Sequence, residues 1–205
     1  TPALRWSTVY ENGYGAALIN DGKYAYSNHN STLELTLLKS AIHPDPDGEE
    51  GFHRFTYTLL PCVSSAPDSE LTMEAAVRNQ NPIVLTHQEI LNESTAQTND
   101  SRADNVIIRP PFNVESKNDH IILETIKPGE DNSSIVLRLY ESLNARGEAV
   151  ITIPDSCIKA VETDMRENEL PHAAPIEISQ EENRSKIRLY FTPFEVKTVK
   201  LALCQ

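Results

Sequence analysis

Apolar residues recur at every second position along most of the chain. Leu33, Leu35 and Leu37 alternate with Glu34, Thr36 and Leu38, and Phe55, Tyr57 and Leu59 alternate with Arg54, Thr56 and Thr58. Further on, Leu137 and Leu139 oppose Val136, Arg138 and Tyr140. Ile187, Leu189 and Phe191 alternate with Arg188 and Tyr190, and Val199, Leu201 and Leu203 oppose Val196, Thr198 and Lys200 less regularly. Successive strand side chains point to opposite faces, so these runs predict half-buried β-strands. Turn signals stand between them at Asn12-Gly13, Asp21-Gly22, Asp47-Gly48, Pro128-Gly129 and Arg146-Gly147. Short strands separated by turns imply an all-β, antiparallel sandwich architecture.

One segment departs from this period. After Pro67, residues Asp68 to Arg78 predict a short helix capped by Asp68 or Ser69. From Asn92 to Asn105 the chain is polar and without an apolar period, which predicts a loop or linker. The division that follows is residues 1–66 as terminal strands of a larger β-sandwich, 67–111 as short helix and linker, and 112–205 as a C-terminal β-sandwich. The first block has about five predicted strands and no evident closing partner, and an open sheet edge invites further pairing. The last block has about seven strands, enough for a complete small sandwich.

Composition narrows the function. The chain has 205 residues, 39% hydrophobic and 23% charged, as in an ordinary globular protein. Its net charge of −12 and lack of a basic patch disfavour nucleic acid or an anionic membrane as partner. No apolar run reaches the roughly 18 residues of a membrane span. The Thr1-Pro2 start shows no signal-peptide pattern, and three cysteines (Cys62, Cys157 and Cys204) suit free thiols in a reducing, cytoplasmic compartment.

Local motifs are mostly structural. Asp45, Asp47 and Glu49 alternate in an acidic turn, but lack the spacing, glycine and terminal glutamate of an EF-hand. His53 shares the parity of Phe55 and Tyr57, so a satisfied histidine, buried or at an interface, is expected. No His pair has zinc-ligand spacing, and no serine elbow, Walker loop or dinucleotide fingerprint occurs. Glu141 and Arg146 are read as structural, since an exposed pair contributes only about 0–1 kcal/mol.

In order, the sequence contains Glu11-Asn12-Gly13-Tyr14-Gly15, Asn20-Asp21-Gly22-Lys23-Tyr24 and Leu35-Thr36-Leu37-Leu38-Lys39-Ser40. Next come Pro44-Asp45-Pro46, Gly51-Phe52-His53-Arg54-Phe55-Thr56-Tyr57 and Leu59-Leu60-Pro61. The last block adds Leu123-Glu124-Thr125-Ile126-Lys127, Leu137-Arg138-Leu139-Tyr140-Glu141 and Pro193-Phe194-Glu195. In this order the set resembles the C-terminal β region of class II α-mannosidases, glycoside hydrolase family 38, and is most similar to the cytosolic and vacuolar branch. The chain departs from the family's pattern at Gly22, where relatives tend to have Cys, and at Ala25, where they tend to have Gly.

The resemblance implies a non-catalytic part of an enzyme that hydrolyses terminal α-mannosides. Its partners would be the catalytic domain of the parent enzyme and a mannose-containing oligosaccharide. The nucleophile, the acid/base carboxylate and the zinc ion would lie in that other domain, so neither a catalytic nor a metal-binding residue is expected here. The Asn-Asp-x-Lys-Tyr element would lend a loop to the sugar pocket, making Asn20, Asp21, Lys23 and Tyr24 the expected substrate-binding residues. A rival expectation is a free-standing carbohydrate-binding or interaction module.

Overall fold

The computed structural model describes residues 2–63, 67–80, 112–153, 157–181 and 184–203. The chain divides into two compact units, Thr1–Ser101 and Arg102–Gln205.

In the first unit, β1 (Trp6–Glu11) and β2 (Tyr14–Asn20) form a hairpin in which Glu11 pairs with Tyr14. The two-residue connection is Asn12-Gly13, with Gly13 at φ 81, the positive value such hairpin turns demand. Strand β5 (Tyr57–Cys62) pairs with the other edge of β2, giving the order β1-β2-β5. A separate hairpin of β3 (Tyr26–His29) and β4 (Thr32–Leu35) turns at Asn30-Ser31. The predicted strand through Leu37 is therefore shorter, ending at Leu35.

Helix α1 (Ser69–Asn79) covers one face of the three-stranded sheet. Asp68 is its N-cap, and its carboxylate accepts the Leu71 N–H at 3.0 Å. Glu70 in the first turn and Arg78 in the last complement the helix dipole. Leu71 and Ala75 pack on Ala17 and Ile19, with Trp6, Leu60 and Cys62 at the margin.

That packing corrects the reading of β5. The register pairs Ala17 with Leu60 and Ile19 with Thr58, so Thr58, Leu60 and Cys62 face the helix. Tyr57 and Leu59 point the other way and are 59% and 66% exposed. Parity alone could not choose, because both faces of this strand carry bulky residues.

The second unit is a sandwich of two antiparallel sheets. One has the order β10-β13-β8-β7, from Cys157–Thr163, Val196–Leu203, Ser134–Glu141 and Ile121–Pro128. The other has the order β11-β12-β9-β6, from Ile178–Glu181, Arg184–Phe191, Gly147–Ile153 and Asn113–Ser116. Eight strands are thus described where about seven were expected. Leu137, Leu139, Val199 and Leu201 of the first sheet meet Ile151, Ile153, Ile187, Leu189 and Phe191 of the second in a closed apolar core. The alternation of β12 follows this core, with Ile187, Leu189 and Phe191 buried while Arg188 and Tyr190 face out; β8 buries Leu137 and Leu139 in it and Val136 on its other face.

Glu141 is not the exposed, Arg146-paired residue expected. It is 1% exposed and accepts the N–H groups of Leu143 and Phe194 at 2.7 and 2.8 Å. It fastens the ends of two loops, which is structural by a different means.

Candidate functional site

The Asn20–Tyr24 loop starts at the end of β2 and returns to β3. Its four expected contact residues have unequal placements. Asn20 is 1% exposed and anchors the loop. Its N–H donates to the Arg5 carbonyl at 2.9 Å, its Nδ2 donates to the Tyr26 hydroxyl at 2.9 Å, and its own carbonyl accepts Asn79 Nδ2 at 2.9 Å. Its Oδ1 is buried with no hydrogen-bond partner among the described residues. Such an orphaned acceptor costs about 1–3 kcal/mol, so the loop base carries polarity that the fold itself does not fully satisfy.

Asp21 and Tyr24 are exposed, Tyr24 by 53%, and Lys23 is half-buried. Gly22 turns the chain at φ 73, a left-handed value that costs glycine nothing. Lys23 lies with Nζ 4.8 Å from the centroid of the Phe55 ring, a cation–π contact that limits its reach. His53 stacks on the same ring at 6.1 Å with planes 4° apart, and its Nε2 donates to the Glu49 carbonyl at 2.8 Å. His53 is exposed, which excludes the buried one of its two expected settings, a buried place or an interface. It is satisfied instead by a backbone carbonyl within its own loop, and the shared parity with Phe55 becomes the stack.

The loop's exit is clamped from both sides. The Ala3 N–H donates to the Tyr24 carbonyl and the Thr36 N–H to the Ala25 carbonyl, each at 2.9 Å. Tyr26, 5% exposed, donates its hydroxyl to the Leu18 carbonyl at 3.0 Å. Burial raises its pKa against the lowering effect of the Asn20 hydrogen bond, so the phenol stays a donor at neutral pH.

An open cleft of about 310 Å³ adjoins the loop, lined by Asn20, Asp21, Thr56, Tyr57, Glu74 and Arg78 among others. Glu74 and Arg78 form an ion pair one helical turn apart on its wall. A carboxylate, an ammonium and a phenol displayed on a fixed loop can donate to and accept from sugar hydroxyls. Asp21 is the loop's sole carboxylate, and Glu74 of α1 lines the same cleft. Among the described residues no three His, Cys, Asp or Glu are grouped to hold a metal ion.

Tyr26, Asn79 and Phe55 escaped the sequence reading as site residues. Only Phe55 left a local trace, through its parity with His53. The partnership of Asn79 with Asn20 spans 59 residues and has no sequence signature.

Two family models match the chain. One, described as the glycosyl hydrolases family 38 C-terminal beta sandwich domain, matches residues 120–199, and the other, the glycosyl hydrolases family 38 C-terminal domain, matches residues 1–47. Alpha-mannosidase 2C1 of Homo sapiens is 30% identical over 204 residues, covering 98% of this chain and 18% of that protein. Alpha-mannosidase G of Dictyostelium discoideum is 29% identical over 204 residues, with 96% and 17% covered. An alpha-mannosidase of Saccharomyces cerevisiae is 26% identical over 216 residues, with 96% and 18% covered. The chain thus spans under a fifth of the length of these curated relatives.

Proposed function

The chain belongs to the C-terminal β region of glycoside hydrolase family 38, and on that footing we propose that it is the non-catalytic part of a retaining α-mannosidase that removes terminal α-mannosides from glycans. It packs on the catalytic domain of the parent enzyme and lends the Asn20–Tyr24 loop to the sugar pocket. The parent works in the cytoplasm. No helix among the described residues is long and apolar enough to cross a membrane.

The observation that carries the reading is the division of labour within the loop. Asn20 is buried and bonded through its N–H, its Nδ2 and its carbonyl, which fixes the backbone, while Asp21 and Tyr24 are exposed and Lys23 is held against Phe55.

The test uses the full-length protein. Lys23→Ala and Tyr24→Phe should each lower kcat/KM for an aryl α-mannoside about ten-fold or more, the loss of one hydrogen bond to a bound polar group. Unchanged kinetics in both variants would remove the loop from the pocket. Residues 1–205 alone should give no turnover of the same substrate, and turnover by the pure fragment would place chemistry in this chain.

A further inference from the structure

We propose a second carbohydrate-binding groove in the first unit, between the tip of the β1–β2 hairpin and the β3–β4 hairpin, that takes a neutral oligosaccharide. The groove has a volume of about 590 Å³. Val9, Glu11 and Tyr14 form one side, and Asn28, Asn30 and Ser31 form the other. The register sets the first side: Glu11 pairs with Tyr14 and Val9 with Ala16, so these four residues share one face of the hairpin. Asn30, at φ 54, turns the facing hairpin and brings Ser31 beside it.

The lining selects its ligand. Tyr14 is 58% exposed and presents an apolar ring, the kind of surface that packs against the C–H face of a pyranose. Around it stand groups that both give and take hydrogen bonds: two carboxamides and a hydroxyl, with the Glu11 carboxylate as a pure acceptor. Among the described residues, none of Glu11, Tyr14, Asn28, Asn30 and Ser31 spends its side chain on an intramolecular hydrogen bond or ion pair. Among the described residues no Lys or Arg lines the groove, so a phosphate or another anion finds no counter-charge there. A single carboxylate is too few for a hard cation, which takes six or more oxygens. One apolar platform ringed by two-way polar groups matches the amphipathic faces of a sugar.

The groove is separate from the Asn20–Tyr24 loop. Tyr14 opens β2 and Asn20 closes it, which puts them about 20 Å apart at about 3.3 Å per residue. Only a ligand of several sugar units reaches both. The choice of mannose as the sugar rests on the proposed α-mannosidase function; the groove itself does not.

The experiment compares substrates in the full-length protein. Tyr14→Ala combined with Glu11→Gln should raise KM for a linear mannopentaose about three- to ten-fold, the scale of one aromatic contact. It should leave kcat/KM for an aryl α-mannoside unchanged, and Tyr14→Trp should keep the wild-type KM for mannopentaose. An unchanged mannopentaose KM in the double variant overturns the groove, as does an equal loss on both substrates, which marks a structural role. If the protein hydrolyses no mannoside, calorimetric titration with mannopentaose and cellopentaose decides separately. Binding of either sugar that is lost in Tyr14→Ala supports the groove, and binding that is absent or indifferent to Tyr14→Ala overturns it.

Discussion

Glu141→Gln tests how the end of the second sandwich is closed. Glu141 is the last residue of β8 and is almost wholly buried. Its carboxylate receives the Leu143 N–H from the loop leading to β9 and the Phe194 N–H from the turn between β12 and β13. Its own N–H donates to the Glu195 carbonyl at 2.9 Å, so the residue is tied to that turn twice. Phe194 is held at φ 56, a left-handed conformation unfavourable for a bulky side chain, which the surrounding bonds must enforce. Glutamine keeps one carbonyl oxygen but turns an NH2 toward a second backbone N–H. Hydrogen bonds to a charged acceptor contribute about 1.5–3 kcal/mol each, and an orphaned buried donor costs about 1–3 kcal/mol. Allowing for relaxation, the substitution should cost about 2–4 kcal/mol at neutral pH. With a urea dependence of about 1–3 kcal/mol per molar, the unfolding midpoint followed by far-ultraviolet circular dichroism should fall by roughly 1–2 M.

The pH dependence supplies an independent check. Burial by itself raises the Glu141 pKa, but the amide N–H groups of Phe194, Leu143 and Ala145, and the field of His120, outweigh it and hold the pKa below its ordinary 4.5. The folded state thus prefers the ionised carboxylate. Its stabilisation is fully present above the unfolded-state value and is lost as pH falls through the depressed folded value. The difference between wild type and Glu141→Gln should therefore stay level from pH 7 to about 5 and shrink below pH 4. A cost under about 1 kcal/mol at pH 7, or a difference that does not shrink in acid, would refute the account.

Gly147→Ala should destabilise the second unit by about 1–3 kcal/mol, because a methyl there would come within 2.1 Å of His120 Nε2 and 2.6 Å of its Cε1. His120 cannot step aside, since it is buried and bonded through Nδ1 to the Lys117 carbonyl. In thermal unfolding the double variant with His120→Ala should cost less than the two single changes together, and strict additivity would exclude the clash. Asn79→Ala removes the donor that ties the end of α1 to the Asn20 carbonyl. Unfolding of the first unit, followed by Trp6 fluorescence, should show a loss of about 1 kcal/mol, and aryl mannoside hydrolysis by the full-length protein should fall by more than that stability loss explains. A stability loss without an activity loss would separate Asn79 from the site.

Strand and helix identity could be read locally because each depends on neighbours in sequence. The alternation of β8 and β12, the Asn12-Gly13 turn and the Asp68 cap are all set within a few residues. Facing was legible only where one parity is clearly apolar. Strand β12 alternates Ile187, Leu189 and Phe191 with Arg188 and Tyr190, and its inward face is unambiguous. Strand β5 offers Tyr57 and Leu59 on one parity against Thr58, Leu60 and Cys62 on the other, and the register with β2 decides. Glu141 shows the same limit in charge: a carboxylate near an arginine in sequence looks like an exposed pair, while its burial depends on a turn 53 residues away.

The four residues of the Asn-Asp-x-Lys-Tyr element were expected to act alike, as hydrogen-bonding contacts to sugar. Their environments separate them. Asn20 has almost no exposed surface, and three hydrogen bonds to the protein hold it in place. Its contribution is to hold the backbone from which Asp21, Lys23 and Tyr24 project. Lys23 has a second constraint, since the Phe55 ring limits where its ammonium can go, and restricting a flexible side chain before binding lowers the entropy lost on contact. The His53 stack and its bond to the Glu49 carbonyl place Phe55 in turn. The acidic turn before His53, which has no metal-binding logic of its own, thereby gains a structural one: it supplies the far end of a chain of contacts running through His53 and Phe55 to Lys23.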